Sequence, residues 1–150
     1  MNPSPGLHVG DRAPQFTLPD QNGKKFRLSE ARGKHPVVLV FYPGDMTPGC
    51  TVQLCALRDE MGKFHSRHAL VFGVNHGDAA SHERFIKKHA LPFPLLVDKG
   101  KRVSEKYGAT RRFFKTNIIR RSVVVIDADG RIAYLKRGMP KNSDILKTLT

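Results

Sequence analysis

Phe41-Tyr42-Pro43-Gly44-Asp45-Met46-Thr47-Pro48-Gly49-Cys50-Thr51-Val52-Gln53-Leu54-Cys55 decides how the rest of the chain is read. It opens as the end of an apolar strand, turns through Pro43, Gly44, Pro48 and Gly49, and delivers Cys50 to the first turn of an expected helix. Unpaired backbone N–H groups and the positive end of the helix dipole both favour a thiolate there. A free cysteine, with a pKa of about 8.5, is mostly protonated at neutral pH, so the placement matters for nucleophilicity. A cysteine is often just a small buried hydrophobe. Cys50, however, stands outside the apolar run, in a Pro/Gly-rich turn where packing gives no reason for a thiol.

Upstream, residues 1–8 read as a loose lead-in to a chain whose residues 1–150 form one domain. Val9 to Leu18 leads into a short strand, Asp20-Gln21-Asn22-Gly23 supplies a turn, and Lys25 to Leu28 alternates polar with apolar, which together predict a hairpin. Ser29 to Arg32 is a brief helical turn. Val37 to Tyr42 is a continuous β-rich run, the mark of a strand covered on both faces. Downstream, the periodicity predicts a helix from Thr51 to about Arg67, a strand Leu70–Val74, a helix from Ala79 or Ser81 ending before Pro92, and a short strand Leu95–Val97. A short helix at 103–107, paired strands 121–126 and 132–135, and a last helix from Ser143 follow. This alternation implies a mixed central β-sheet with helices on both faces.

Composition narrows the function. Lys and Arg number 26 against 13 Asp and Glu, giving a formal charge of +13 spread in small clusters rather than a basic tail. Such a surface attracts acidic partners, so weak non-specific polyanion binding is expected, although no nucleic-acid motif accompanies it. Two cysteines are too few for a disulfide framework or a zinc site. The seven histidines are scattered, and His65 and His68 read as surface residues. Asp127-Ala128-Asp129-Gly130 is turn chemistry rather than a calcium loop. No apolar run approaches the ~20 residues of a membrane span, and the first residues lack an apolar signal region, so a cytoplasmic chain with no membrane partner is expected.

Pro43, Thr47 and Cys50, at their joint spacing, resemble the active-site signature of the peroxiredoxins. The longer string through Gln53, Cys55, Arg58 and Asp59 is similar to the Q-type branch, also called bacterioferritin comigratory protein. The likeness runs from about Val9 to about Leu135. It implies an α/β, thioredoxin-like fold: a central mixed β-sheet flanked by helices, with an N-terminal β-hairpin. It implies that Cys50 is the peroxidatic nucleophile and Cys55 the resolving thiol. Thr47 would donate from its hydroxyl, and Pro43 would shield the sulfur from water. The resemblance also calls for an arginine six residues before the Asp of the strand-ending turn; counting back from Asp127 lands on Arg121 and leaves Arg120 on the surface. Val123 and Val124 depart from the usual Thr-Phe pair.

The activity implied is reduction of hydrogen peroxide and organic hydroperoxides through a sulfenic acid and an intramolecular disulfide, recycled by thioredoxin or a similar dithiol. No haem, flavin or metal motif is visible, so no cofactor is expected. Nor is there a C-terminal cysteine to pair across a dimer, and a monomer is expected. The alternatives are a general thiol–disulfide oxidoreductase, disfavoured by the spacing of Cys50 and Cys55 and by Thr47, and a non-catalytic basic nucleic-acid-binding module.

Overall fold

A computed structural model describes residues 6–149; residues 1–5 of the expected lead-in and Thr150 lie outside the described part. Strands β1 (Thr17–Pro19) and β2 (Lys25–Arg27) form the expected antiparallel hairpin. Asp20 holds its turn, accepting from the Asn22 and Lys24 N–H groups at 2.8 and 3.0 Å. After a single 3-10 turn at Leu28–Glu30, the apolar run forms β3 (Val37–Phe41), every residue of it buried.

The segment expected as one helix from Thr51 to Arg67 is two. Helix α1 (Pro48–Asp59) begins at Pro48, whose missing N–H suits a first turn, and breaks at Glu60 before α2 (Met61–His65). Then come β4 (Leu70–Asn75), α3 (Ala79–His89), β5 (Leu95–Val97) and α4 (Arg102–Lys106). A second hairpin, β6 (Thr110–Phe113) with β7 (Thr116–Ile119), has no counterpart among the expected elements. The chain closes with β8 (Ser122–Ile126), β9 (Ile132–Arg137) and α5 (Asn142–Lys147).

The central sheet runs β5-β4-β3-β8-β9; β3, β4 and β5 are parallel, whereas β8 and β9 run antiparallel to their neighbours. Because side chains alternate across a strand, β3 feeds two cores. Val38, Val40 and Tyr42 pack with Leu54, Leu57, Phe64, Phe85 and Ile145 of the helices on one side. Val37, Leu39 and Phe41 pack with Phe16, Leu18, Val103 and Tyr107 on the other. Among the described residues no helix is long and apolar enough to cross a membrane.

At the C-terminal end of β5, Asp98 is 1% exposed and accepts three bonds from α4: Val103 N–H at 3.1 Å, Ser104 N–H at 2.8 Å and the Ser104 hydroxyl at 2.7 Å. Asp98→Ala orphans those donors in the interior, and we expect a loss of about 1–3 kcal/mol or more. Urea denaturation should show a lower midpoint with an unchanged slope.

Candidate active site

Three pieces of chain converge on Cys50: the loop after β3, the first turn of α1, and the residues leading into β8. Thr47 is the N-cap residue of α1, in extended conformation. The Thr51 N–H makes the first helical bond, to the Thr47 carbonyl at 2.9 Å, so the N–H groups of Gly49 and Cys50 stand ahead of it in the first turn. The side chain of Thr47 does not cap the helix; its hydroxyl donates to the Gly44 carbonyl at 2.9 Å. The single hydroxyl proton is therefore engaged, and the oxygen offers only lone pairs to anything beside it. Here the structure departs from the expected donor. Pro43 and Thr47 are both exposed at the mouth of this turn.

Cys50 is 0% exposed and belongs to the core formed by Val40, Tyr42 and Leu54, contrary to the expectation that packing plays no part in its placement. The reason is where α1 begins. With Pro48 as its first residue, Cys50 falls on the inward face with Gln53, Leu54 and Leu57, at helical spacings of three, four and seven. Cys55 lies on the same helix, half-buried, and both thiols are free.

The arginine comes from the strand pairing. β3 and β8 are antiparallel with Phe41 opposite Ser122, so the residue before Ser122 lies beside the loop that follows Phe41. That residue is Arg121. Its Nη1 donates to Gln53 Oε1 at 2.8 Å, and a Cβ built on Gly49 would stand 3.0 Å from its Nη2. The guanidinium thus lies directly over the first turn of α1, close enough that a side chain at position 49 would press on it. Arg120 is exposed and is tied through its N–H to the Ala109 carbonyl at 2.7 Å. Arg58, part of the same sequence string, reaches away from the site to the His89 carbonyl at the end of α3, 2.6 Å away.

Sequence reasoning missed a polar group at the base of this loop. Asp45, with its side chain 5% exposed, accepts from the Tyr42 hydroxyl at 2.6 Å and the Ser81 hydroxyl at 2.6 Å, and faces His82 Nδ1 at 2.6 Å. Burial pushes the Asp45 carboxyl up, but the bonds from His82, Ser81 and Tyr42 outweigh it and hold the group below the usual carboxylate value. Burial and the neighbouring Asp45 push the Tyr42 phenol well above the usual tyrosine value, with a smaller push from Cys50. The contributing residues are 37 positions apart in sequence, so no local spacing announces them. The contact between Arg121 and Gln53, 68 positions apart, is likewise announced by no local spacing.

The profile of the AhpC/TSA family matches residues 9–135. Peroxiredoxin Q, chloroplastic, of Triticum aestivum is 47% identical over 126 residues, covering 84% of this chain and 57% of that protein. The protein of the same name from Oryza sativa subsp. japonica is 46% identical over the same shares. This chain therefore spans just over half the length of these curated relatives. The crystal structure of Peroxidoxin BcpB from Mycobacterium tuberculosis superposes with a TM-score of 0.86 at 32% identity, covering 94% of this chain and 95% of that one. The fold is thioredoxin-like, and the chain belongs to the AhpC/TSA family, within its peroxiredoxin Q group. The cytoplasmic expectation is contradicted by these comparisons: the matched curated relatives are named chloroplastic.

A lowered folded-state pKa means that Asp45 contributes stability above its unfolded value, near pH 4, and that this is lost as pH falls through the lowered value. Asp45→Asn should therefore be less stable than the parent near neutral pH, with the gap closing from about pH 5 downwards. Denaturation midpoints measured along an acid series check this; a gap independent of pH counts against it.

Proposed function

We propose that this chain is a thiol-dependent peroxidase acting on hydrogen peroxide and organic hydroperoxides, with Cys50 as nucleophile. The observation that carries the reading is the Arg121 guanidinium held by Gln53 over the α1 first turn that carries Cys50. The Cys50 thiolate attacks one peroxide oxygen, the O–O bond breaks, and the departing alkoxide or hydroxide takes up a proton. Negative charge moves onto oxygen as the bond breaks, and donors fixed in advance lower that barrier. Arg121 and the N–H groups of Gly49 and Cys50 are those donors. Thr47, its proton engaged with Gly44, accepts from the hydroperoxide O–H and so orients it. Pro43 covers the mouth of the turn.

The sulfenic acid left on Cys50 is attacked by the Cys55 thiol, giving a disulfide and water. A thioredoxin-type dithiol then returns two electrons and two protons. Both cysteines sit on α1, where a five-residue separation places their Cα atoms about 8.7 Å apart. A disulfide needs them within about 7 Å. The start of α1 therefore unwinds in every cycle, and Pro48 and Gly49 make that end the easier one to open. Resolution within one chain needs no second subunit, so the proposal holds for a monomer forming a single catalytic domain. The general oxidoreductase reading has no use for Arg121 over the thiol, and the binding-module reading has no use for Cys50.

Cys50→Ser is expected to abolish thioredoxin-dependent peroxide consumption with the fold intact. Cys55→Ser should keep the first oxidation and lose disulfide-linked recycling; stopped-flow oxidation with mass analysis of the product separates the two. Activity in Cys50→Ser would sink the assignment. Arg121→Ala should slow the peroxide step about a hundredfold or more, as for losing one charge-stabilising donor, whereas Arg120→Ala should change it little. The opposite ranking in single-turnover kinetics would move the role to Arg120. From the +13 charge we expect weak polyanion binding with little sequence preference, lost as salt rises. Retention on DNA at high salt would favour the binding-module reading.

A further inference from the structure

The buried group under the Cys50 loop takes no part in the chemistry above, yet it is the most completely bonded polar cluster near the site. His82 has a side chain 0% exposed, and its Nε2 lies 3.1 Å from the Leu96 carbonyl, an oxygen that can only accept. Nε2 therefore carries a hydrogen. Nδ1 lies 2.6 Å from Asp45 Oδ2, which also accepts from the Ser81 hydroxyl, so the ring bridges the carboxylate to the backbone of β5 inside the fold. Such a buried polar contact is weak evidence of stability, because desolvation offsets the attraction. What it does supply is a fixed geometry.

The geometry it fixes is that of the loop. Asp45 precedes Met46, a non-glycine residue at φ 63°, in the left-handed region that side chains disfavour, and Met46 precedes the N-cap Thr47. The strained turn is thus anchored by Asp45 on one side and by α1 on the other. The loop after β4 locks onto the same point: Asn75 Nδ2 donates to the Tyr42 carbonyl at 2.8 Å, and the Gly77 N–H donates to Asn75 Oδ1 at 2.7 Å. A Cβ on Gly77 would meet Asn75 Oδ1 at 3.0 Å and Asp45 Oδ2 at 3.1 Å, so the backbone seals the pair. The titratable and charged groups around it are Tyr42 and, through Tyr42, Cys50. On the other side is His76, which burial, Lys101 and His82 push down while Asp45 and Asp98 draw it up.

We propose that Asp45 and His82 are positioning residues for the peroxide step. Their clasp holds the Pro43–Thr47 loop, and with it the first turn of α1 beneath Arg121, in the wound form that meets peroxide, against the unwound form in which Cys50 reaches Cys55. This rests on the peroxidase reading. Severing the clasp has opposite effects on the two half-reactions: the first oxidation slows, and disulfide formation does not.

The test compares reduced Asp45→Asn, His82→Gln and the double variant with the parent, and uses the same set on a Cys55→Ser background for alkylation. Each single variant should show about tenfold faster amide exchange across residues 46–54 and faster alkylation of the buried Cys50 by iodoacetamide, since a charge-assisted bond no longer opposes opening. Oxidation by hydrogen peroxide should slow by about tenfold, and disulfide formation should be at least as fast as in the parent. The double variant leaves no lone buried charge, should react no worse than His82→Gln, and carries the test where a single variant does not fold. Parent-like exchange and oxidation in folded variants overturn the proposal, as does equal slowing of both half-reactions. A parent chain inert to peroxide sinks the peroxidase reading; the exchange and alkylation measurements then decide by themselves whether the clasp holds the loop.

Discussion

The register of β3 against β8 is the constraint on which the site depends. Phe41 opposite Ser122 puts the end of one strand beside the start of the other, so the loop that leads to Cys50 and the residue that carries the guanidinium meet at one edge of the sheet. A slip of one residue would turn every side chain of β8 to the other face and take Arg121 away from Gly49. The register is hard to slip because both faces of β8 are packed: Val123 and Val125 into one core, Val124 and Ile126 into the other.

Around that seam, the site joins two kinds of support. Above the first turn of α1, Gln53 fixes a cation where negative charge can gather. Below it, a paired carboxylate and imidazole fix the backbone. Neither substitutes for the other. A cation over a loose turn would find the sulfur in many positions, and a rigid turn without the cation would leave only backbone dipoles to meet the charge.

Much of this was legible in the chain. The apolar run ending at Tyr42 and the Pro/Gly turn after it gave the strand, the loop and the helix start, because each residue type there has a local conformational reason. Arg121 was reached only through the family resemblance, which counts six residues back from the Asp127 turn that ends β8; Asp127 Oδ1 does accept from the N–H groups of Asp129 and Arg131, both at 3.0 Å. The hairpin β6–β7 was not legible. Its turn uses Phe114 at φ 56°, a conformation signalled by Gly or Asn and here taken by an aromatic residue. The break at Glu60 lacks Pro or Gly at the break itself, and the Asp45–His82 contact joins segments that only tertiary packing brings together. Cys50 itself was read as a turn residue free of the core, because composition marks the turn but does not say which way the helix beginning inside it will face.

The long reach between β3 and β8 also orders events as the chain is made. β3, α1 and β4 are adjacent in sequence and can associate early, whereas the partner on the other side of β3 begins at Ser122, some eighty residues after β3 ends. During synthesis the strand, the loop and the thiol emerge well before the arginine that completes the site. A nascent chain therefore displays Cys50 without its guanidinium, and the full constellation comes into being only when the centre of the sheet closes, late in folding.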